Sequence, residues 1–271
     1  MTLRALRSRI ARAVFAARLG LARRPLVSWR AARRPNHGSP ALTLVTVAFN
    51  NALVIDTQAR LLRKWLTYPF RLVVVDNSPD RASRRAIRAV CLANSVEYLG
   101  LPRNPYTGRD PSFSHAEALN YTVRHLGGID SGVAVGFLDH DVFPTAEVSL
   151  LEILGSTKAY GRQQTMEDGW YLWPGLMFLR TDSVDIRSLD FSPLRGRGDT
   201  GARLSEVLRH WSANDVRFTQ SSVGEIEIDG RSEAYELHDA WAHSLSASGW
   251  RGAGTERNAL VHALRKELDS R

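Results

Sequence analysis

Asp139 and Asp141 stand two residues apart, around His140, directly after an apolar run, Val133–Leu138, that reads as a strand. If strand geometry carries through them, both carboxylates project from one face at the edge of a sheet and His140 turns away. Two like charges that close are costly without a cation. Hard oxygen ligands with open positions suit Mg²⁺ or Mn²⁺, the coordination being completed by substrate phosphates rather than by a closed protein cage. Any such pair could be a surface loop, but this one follows a buried-type strand and precedes Val142-Phe143-Pro144.

The elements that must hold the pair are legible around it. Leu42–Phe49 is a β-branched, nearly uncharged run of strand length, ending at Asn50-Asn51. Residues 52–66 carry apolar positions at helical spacing, and a second apolar run, Leu72–Val75, stops at Asp76. The arginine-studded segment 81–94 suits a helix, 96–99 a short strand and 115–126 another helix. Strands alternating with helices predict an α/β fold whose mostly parallel sheet is covered on both faces. In such sheets ligands bind beyond the carboxyl ends of the strands, where Asn50, Asp76 and the Asp139/Asp141 pair fall. The turn after the first strand carries neither GxGxxG nor GxxxxGK[ST], which argues against a dinucleotide oxidoreductase and a P-loop phosphotransferase.

Composition narrows the class further. With 271 residues and 44% hydrophobic side chains there is material for one large domain or two small ones. The single cysteine, Cys91, allows no intrachain disulfide, and a reducing compartment is the default. The net charge of +8 is concentrated: residues 1–34 hold ten arginines and no acid, leaving 26 basic against 28 acidic side chains in the remainder. A nearly neutral body removes the simplest reading of the basic charge as a nucleic-acid surface, so no nucleic-acid partner is expected. Within the arm, Leu3, Leu6, Ile10, Val14 and Leu21 form an apolar stripe opposite Arg9, Arg12 and Arg23. Three roles fit it: docking on an anionic membrane or a partner, a solvated tail, or a targeting segment. No apolar run is long enough to span a bilayer. The expectation is a cytoplasmic protein, with peripheral contact at the inner face of the cell membrane as one use of the arm.

Six segments taken together in order, LTLVTVAFNN, RLVVVDNSPD, SHAEALNYTV, VGFLDHDVFP, LWPGLMFLR and HSLSASGW, resemble the GT-A-fold glycosyltransferases, particularly those similar to family 2. The resemblance spans roughly residues 42–250 and implies a GT-A domain over 41–252, leaving outside it the basic arm over 1–40 and a C-terminal segment, 253–271, that reads as an amphipathic helix. By that resemblance Val47, Phe49 and Asn50 line the nucleotide base, with His140 also on the nucleotide, and Asp76 hydrogen-bonds base or ribose; a turn-capping role before Ser78-Pro79 is its alternative. Ser114, His115 and Asn120 match the segment entering a helix beneath the diphosphate and ribose. Asp139 contacts ribose or metal, and Asp141 bridges the metal to the diphosphate. His243, within His243-x-x-x-x-Ser248-Gly249-Trp250, resembles a further metal ligand, and neutral imidazole suits Mn²⁺ better than Mg²⁺. His238 competes for that role.

An inverting displacement needs a base for the attacking hydroxyl. Asp199, in Arg197-Gly-Asp-Thr-Gly201, resembles the position of that carboxylate, although the family's usual Glu-Asp is Gly198-Asp199 here; Glu206 and Asp190 are fallbacks, and Asp199 also suits a helix cap before Gly201–Leu208. The resemblance also implies that Trp173, Gly175 and Thr200 border sugar and acceptor, and the aromatic face of Trp173 would suit sugar C–H surfaces; Trp170 reads as structural. The implied reaction is metal-dependent transfer, inverting, from a nucleotide-sugar donor to a saccharide or glycolipid acceptor. Two other classes compete. One is a sugar-phosphate nucleotidyltransferase, whose glycine- and lysine-rich first loop Asn50-Asn51-Ala52-Leu53 lacks. The other is a non-catalytic glycan-binding scaffold at a membrane surface.

Overall fold

A computed structural model of the chain describes residues 13–14, 41–244 and 254–270. The expectations for the basic arm fall almost wholly outside the described residues, as does the stretch 245–250 of the HSLSASGW segment. The expected α/β class is the observed one: a mostly parallel central sheet flanked by helices.

In chain order the elements are β1 (Leu42–Ala48), α1 (Ala52–Trp65), β2 (Phe70–Asp76), α2 (Arg81–Ala93), β3 (Glu97–Gly100), α3 (Pro111–His125), β4 (Ala134–Asp139), β5 (Val142–Pro144), α4 (Leu150–Leu154), β6 (Ala159–Met166), β7 (Gly169–Arg180), α5 (Ser205–Leu208), β8 (Val216–Phe218), β9 (Ser221–Ile228), β10 (Arg231–His238), β11 (Trp241–His243) and α6 (Gly254–Ser270). Seven strands form the main sheet in the order β3-β2-β1-β4-β7-β6-β8. β7 runs antiparallel to both its neighbours, β4 and β6. A second, antiparallel sheet has the order β5-β11-β10-β9.

β1 is buried along its whole length, which is why its sequence is apolar on both faces rather than alternating. Period 2 still sorts its side chains. Val45, Val47, Val73 and Val75 pack with Ala116, Leu119 and Val123 of α3, whereas Leu42, Leu44, Leu72 and Val74 pack with Ile55, Ala59 and Leu62 of α1 and with Ile87 and Cys91 of α2. The helices begin where side chains satisfy their first N–H groups: Asn51 accepts from Val54, Asp80 from Ser83 and Asp110 from Phe113. The last of these corrects the expected start of α3 at His115. Asp110 caps the helix and Pro111 occupies its first turn, so the helix starts four residues earlier. Likewise 169–175, read as an aromatic patch between turns, is the first half of strand β7.

The C-terminal helix α6 covers α1 and the second sheet. Val261 and Leu268 join Val54, Leu61 and Phe143, while Leu260 and Leu264 join Ile226. Arg265 reaches Asp56 at 2.9 Å and Lys64 donates to the Leu268 carbonyl at 2.6 Å.

Candidate active site

Strand order places β1 between β2 and β4, with connections leaving to opposite sides, so a crevice opens past the carboxyl ends of β1 and β4. A cavity of about 480 Å³ lies there. Val47 is paired with Asp139 across β1 and β4, so the first strand's end and the first acid share one rim.

Beyond Asp139 the chain leaves the strand in a tight turn and re-enters the second sheet as β5. This alters the expected alternation: strand geometry stops at Asp139, and His140 is buried rather than turned away. Its Nδ1 lies 3.2 Å from the Phe49 N–H and 3.1 Å from the Val47 carbonyl, pinning the turn to the end of β1. From below, the buried Gln58 of α1 donates to the carbonyls of Asp139 (2.8 Å) and Val142 (3.0 Å). The Asp-His-Asp turn is therefore held from two sides.

His243 arrives through the second sheet. β11 pairs with β5 so that His243 lies opposite Val142, and the Ser244 N–H donates to the Asp141 carbonyl at 3.0 Å. These contacts bring His243 Nε2 to 3.7 Å from Asp141 Oδ1 across about a hundred residues of sequence. His115, in the first turns of α3, puts Nε2 3.5 Å from Asp139 Oδ1. Burial raises the Asp139 pKa; the nearby histidines, His115 above all, counter it, and Asp141 adds to it. For His243 burial favours the neutral ring, but Asp141, the hydrogen bond to Glu236 and Asp139 outweigh it and raise the pKa.

Asp199 lines the same cavity from the loop after β7. Its Oδ1 accepts from the hydroxyl of Ser112 in the first turn of α3 and from the Thr200 N–H at 2.8 Å, while Thr200 Oγ1 donates to the Ser112 carbonyl at 3.0 Å. One turn of helix thus touches both acid groups: Ser112 meets Asp199, and His115 meets Asp139. Gly201, not Asp199, caps the short helical turn that follows.

Trp173 enters the cavity because β7 bulges. Gly161 pairs with Met177 but Gln163 pairs with Leu172, so Trp173-Pro174-Gly175 lie in the looped-out stretch opposite β6. A Cβ on Gly175 would lie 2.1 Å from the Trp173 ring, so only glycine lets the indole fold back over this position. The ring then sits with its centroid 4.9 Å from that of His243.

Of the residues singled out from sequence, Val47, Phe49, Ser114, His115, Asp139, His140, Asp141, Trp173, Asp199, Thr200 and His243 line this one cavity. Asp76, Asn50, Asn120 and Gly175 do not. Asp76 is fully buried, with Oδ1 accepting from the Ser78 N–H at 2.9 Å and Oδ2 from the Tyr98 hydroxyl at 2.7 Å, which is the turn-capping alternative. Asn50 takes a left-handed backbone, φ 56°, and donates its N–H to Ser78. Asn120 ties α3 to the segment after β7 through Phe191, Asp190 and Ser192. Asp190 is thereby engaged away from the cavity, and Glu206 pairs with Arg203 on the surface. Trp170 packs edge-on against Phe218, a structural role.

His238 is buried behind His243, and its Nδ1 meets the Ser221 hydroxyl at 2.8 Å. Burial lowers its pKa. Together Glu236, His238 and His243 offer one donor atom each within 4.8 Å of one another. Glu236, Gln58, Asn77, Ser112 and Gln164 were not singled out from sequence. Asn77, directly after β2, donates to Ser114 Oγ at 3.0 Å and lines the cavity with Ser112 and Gln164. Only Glu236 carried a signal: the alternation Glu236-x-His238 puts both on one face of a strand.

No family model and no curated protein matches the chain. Solved structures do resemble its shape. The apo structure of the bifunctional glycosyltransferase WbbM has 13% identity and a TM-score of 0.43 over 69% of this chain. The mannosyltransferase PcManGT from Pyrobaculum calidifontis, in complex with GDP-Man and Mn²⁺, has 16% identity and a TM-score of 0.45 over 77%. The galactosyltransferase LgtC with donor and acceptor sugar analogues has 14% identity and a TM-score of 0.38 over 66%. The match spans 40% of the WbbM chain, 66% of PcManGT and 73% of LgtC. At these identities and scores the likeness assigns no activity. Among the described residues no helix is long and apolar enough to cross a membrane.

Proposed function

We propose that the protein is a metal-dependent glycosyltransferase of the GT-A kind, similar to family 2, moving a sugar with inversion from a nucleoside-diphosphate donor to a hydroxyl of a saccharide or glycolipid acceptor. The observation that carries this reading is the convergence of Asp139, Asp141, His243 and Asp199, from three separate stretches of fold, on one cavity at the switch point of a mostly parallel sheet. A structural ion-pair network has no need of such a cavity.

The donor set fits a divalent cation. It offers two carboxylates and one imidazole, and the rise in the Asp139 pKa reflects a partly buried acid beside Asp141 whose charge a cation would offset. Asp139, Asp141 and His243 would hold the ion. When bound, it neutralises the negative charge that grows on the departing diphosphate.

The chain's own residues supply the rest. The N-terminal turn of α3 opens on the cavity through Ser112, Ser114 and His115, and the N–H groups and dipole of a helix start favour an anion such as a diphosphate. Val47 and Phe49 form an apolar wall for a base. Trp173 presents an aromatic face suited to the C–H surface of a sugar. Asp199 is the base: its carboxylate, oriented by Ser112 and Thr200, takes the proton of the acceptor hydroxyl as that oxygen attacks the anomeric carbon and the sugar–phosphate bond breaks.

Calorimetry of the full chain with nucleoside diphosphates, with and without Mn²⁺, tests the reading. Binding that requires the metal is expected. Well-folded protein that binds no diphosphate in the presence of Mn²⁺ would overturn it.

A further inference from the structure

Glu236 lies outside the cavity lining yet touches His243, which enters it. It sits directly opposite His243 in the β10–β11 ladder, and its Oε2 accepts from His243 Nδ1 at 3.0 Å. A carboxylate only accepts, so this bond requires the Nδ1–H tautomer and leaves Nε2 as the lone-pair nitrogen. Nε2 is the atom 3.7 Å from Asp141. The path runs across three adjacent strands: Glu236 on β10, His243 on β11, and the start of β5, whose Val142 pairs with His243 and follows Asp141.

The carboxylate itself is held on both oxygens. Arg162 approaches Oε1 at 3.6 Å, its guanidinium lying 5.0 Å from the Trp173 ring centroid, and His238 Nε2 lies 3.3 Å from Oε2. His238 is in turn fixed by Ser221. A guanidinium beside Glu236 disfavours a second cation there, although Glu236, His238 and His243 have the spacing of a ligand set. The arrangement instead has the form of a carboxylate–histidine–metal relay, in which an outer acid sets the tautomer and ring orientation of an inner ligand.

We propose that Glu236, anchored by Arg162 and flanked by His238, is the positioning residue that presents His243 Nε2 to the cation held with Asp139 and Asp141. This rests on the cation site of the reading above. Glu236 touches neither donor nor acceptor; it acts through His243.

Two measurements on the full chain test it. In metal-free protein, ¹⁵N NMR of the imidazoles is expected to show His243 carrying its proton on Nδ1, and in Glu236→Ala to show that preference lost. Mn²⁺ titration followed by the EPR signal of the free ion, without nucleotide, is expected to show binding about 10–100-fold weaker in Glu236→Ala. Glu236→Gln, which keeps an acceptor oxygen for Nδ1–H, is expected to recover most of that loss. The wild-type tautomer alone decides the matter if the alanine variant does not fold: a neutral ring with its proton on Nε2 and none on Nδ1 overturns the proposal. Wild-type affinity for Mn²⁺ in a folded Glu236→Ala also overturns it. Loss of Mn²⁺ from Glu236→Ala while Asp141→Ala binds normally overturns it too, because the ion then sits among Glu236, His238 and His243. Wild-type protein that binds neither Mn²⁺ nor a nucleoside diphosphate sinks the underlying glycosyltransferase reading instead.

Discussion

The two acidic sides of the cavity are built differently. On one, Asp139 closes a central strand, Asp141 is almost fully buried, and His243 comes from a second sheet whose ladder is continuous with the turn between the acids. On the other, Asp199 lies exposed on a connection after β7, oriented by the Ser112 hydroxyl and the Thr200 N–H. A cation with its diphosphate asks for fixed charge, which strands and buried donors supply at low reorganisation cost. The face proposed for the acceptor is carried by a loop, which can vary while the scaffold stays. The contrast predicts that damage to the first side removes binding, while damage to the second removes only turnover.

The largest effect is expected from Asp141→Ala. Metal-dependent diphosphate binding and sugar transfer should both vanish in calorimetry and in a donor-consumption assay, and chelation of the wild-type protein should mimic the loss reversibly. Retained Mn²⁺-dependent binding in Asp141→Ala would erase the distinction between the two sides. Next comes Asp199→Asn. It keeps the acceptor oxygen for Ser112 and Thr200 but cannot take a proton, so turnover should fall about 10²–10⁴-fold with donor affinity unchanged. Normal turnover would refute Asp199 as the base.

The same contrast explains what could be read in the sequence. The strands Leu42–Ala48 and Phe70–Asp76 announce themselves because burial on both faces demands β-branched and apolar runs nearly free of charge, such as Leu42–Ala48 and Leu72–Val75. Asp139 and Asp141 are conspicuous because acids rarely follow such a run without a task. His243 and Asp199 are legible only through the family resemblance, since no local period links them to Asp139: the link is a ladder between β5 and β11 and a hydroxyl on α3. Asp76 looked like a ligand for the same reason as Asp139, a strand-end acid, yet Tyr98 and the Ser78 N–H already satisfy it. Partners of that kind come from neighbouring strands and leave no mark in the segment itself. Gln58 was hidden for the converse reason, a polar residue on the buried face of a helix with its partners some eighty residues away.

Gly175→Ala sharpens the contrast from the strand side. The added methyl would lie 2.1 Å from the Trp173 ring, which must leave its place over the cavity or push β7. Overpacking of this kind costs about 1–3 kcal/mol, measurable as a lower urea midpoint at unchanged slope. Donor affinity should weaken alongside, because the displaced indole also packs on His243. Unchanged stability and affinity would mean that the bulge does not serve to place Trp173.

The smallest effect compares one support from each side. Gln58→Met keeps volume and removes the donor that holds the carbonyls of Asp139 and Val142; losing those buried bonds should cost about 1 kcal/mol and weaken Mn²⁺ binding. Ser112→Ala removes the exposed hydroxyl bonded to Asp199 and should change stability by less than about 0.5 kcal/mol while lowering turnover. The physical basis is burial: the carbonyls around the Asp-His-Asp turn have little recourse to water once Gln58 is gone, whereas the exposed Asp199 carboxylate exchanges one hydroxyl donor for solvent. A Ser112→Ala protein destabilised more than Gln58→Met would reverse the order and show that the loop, not the strand end, is the rigid side of this cavity.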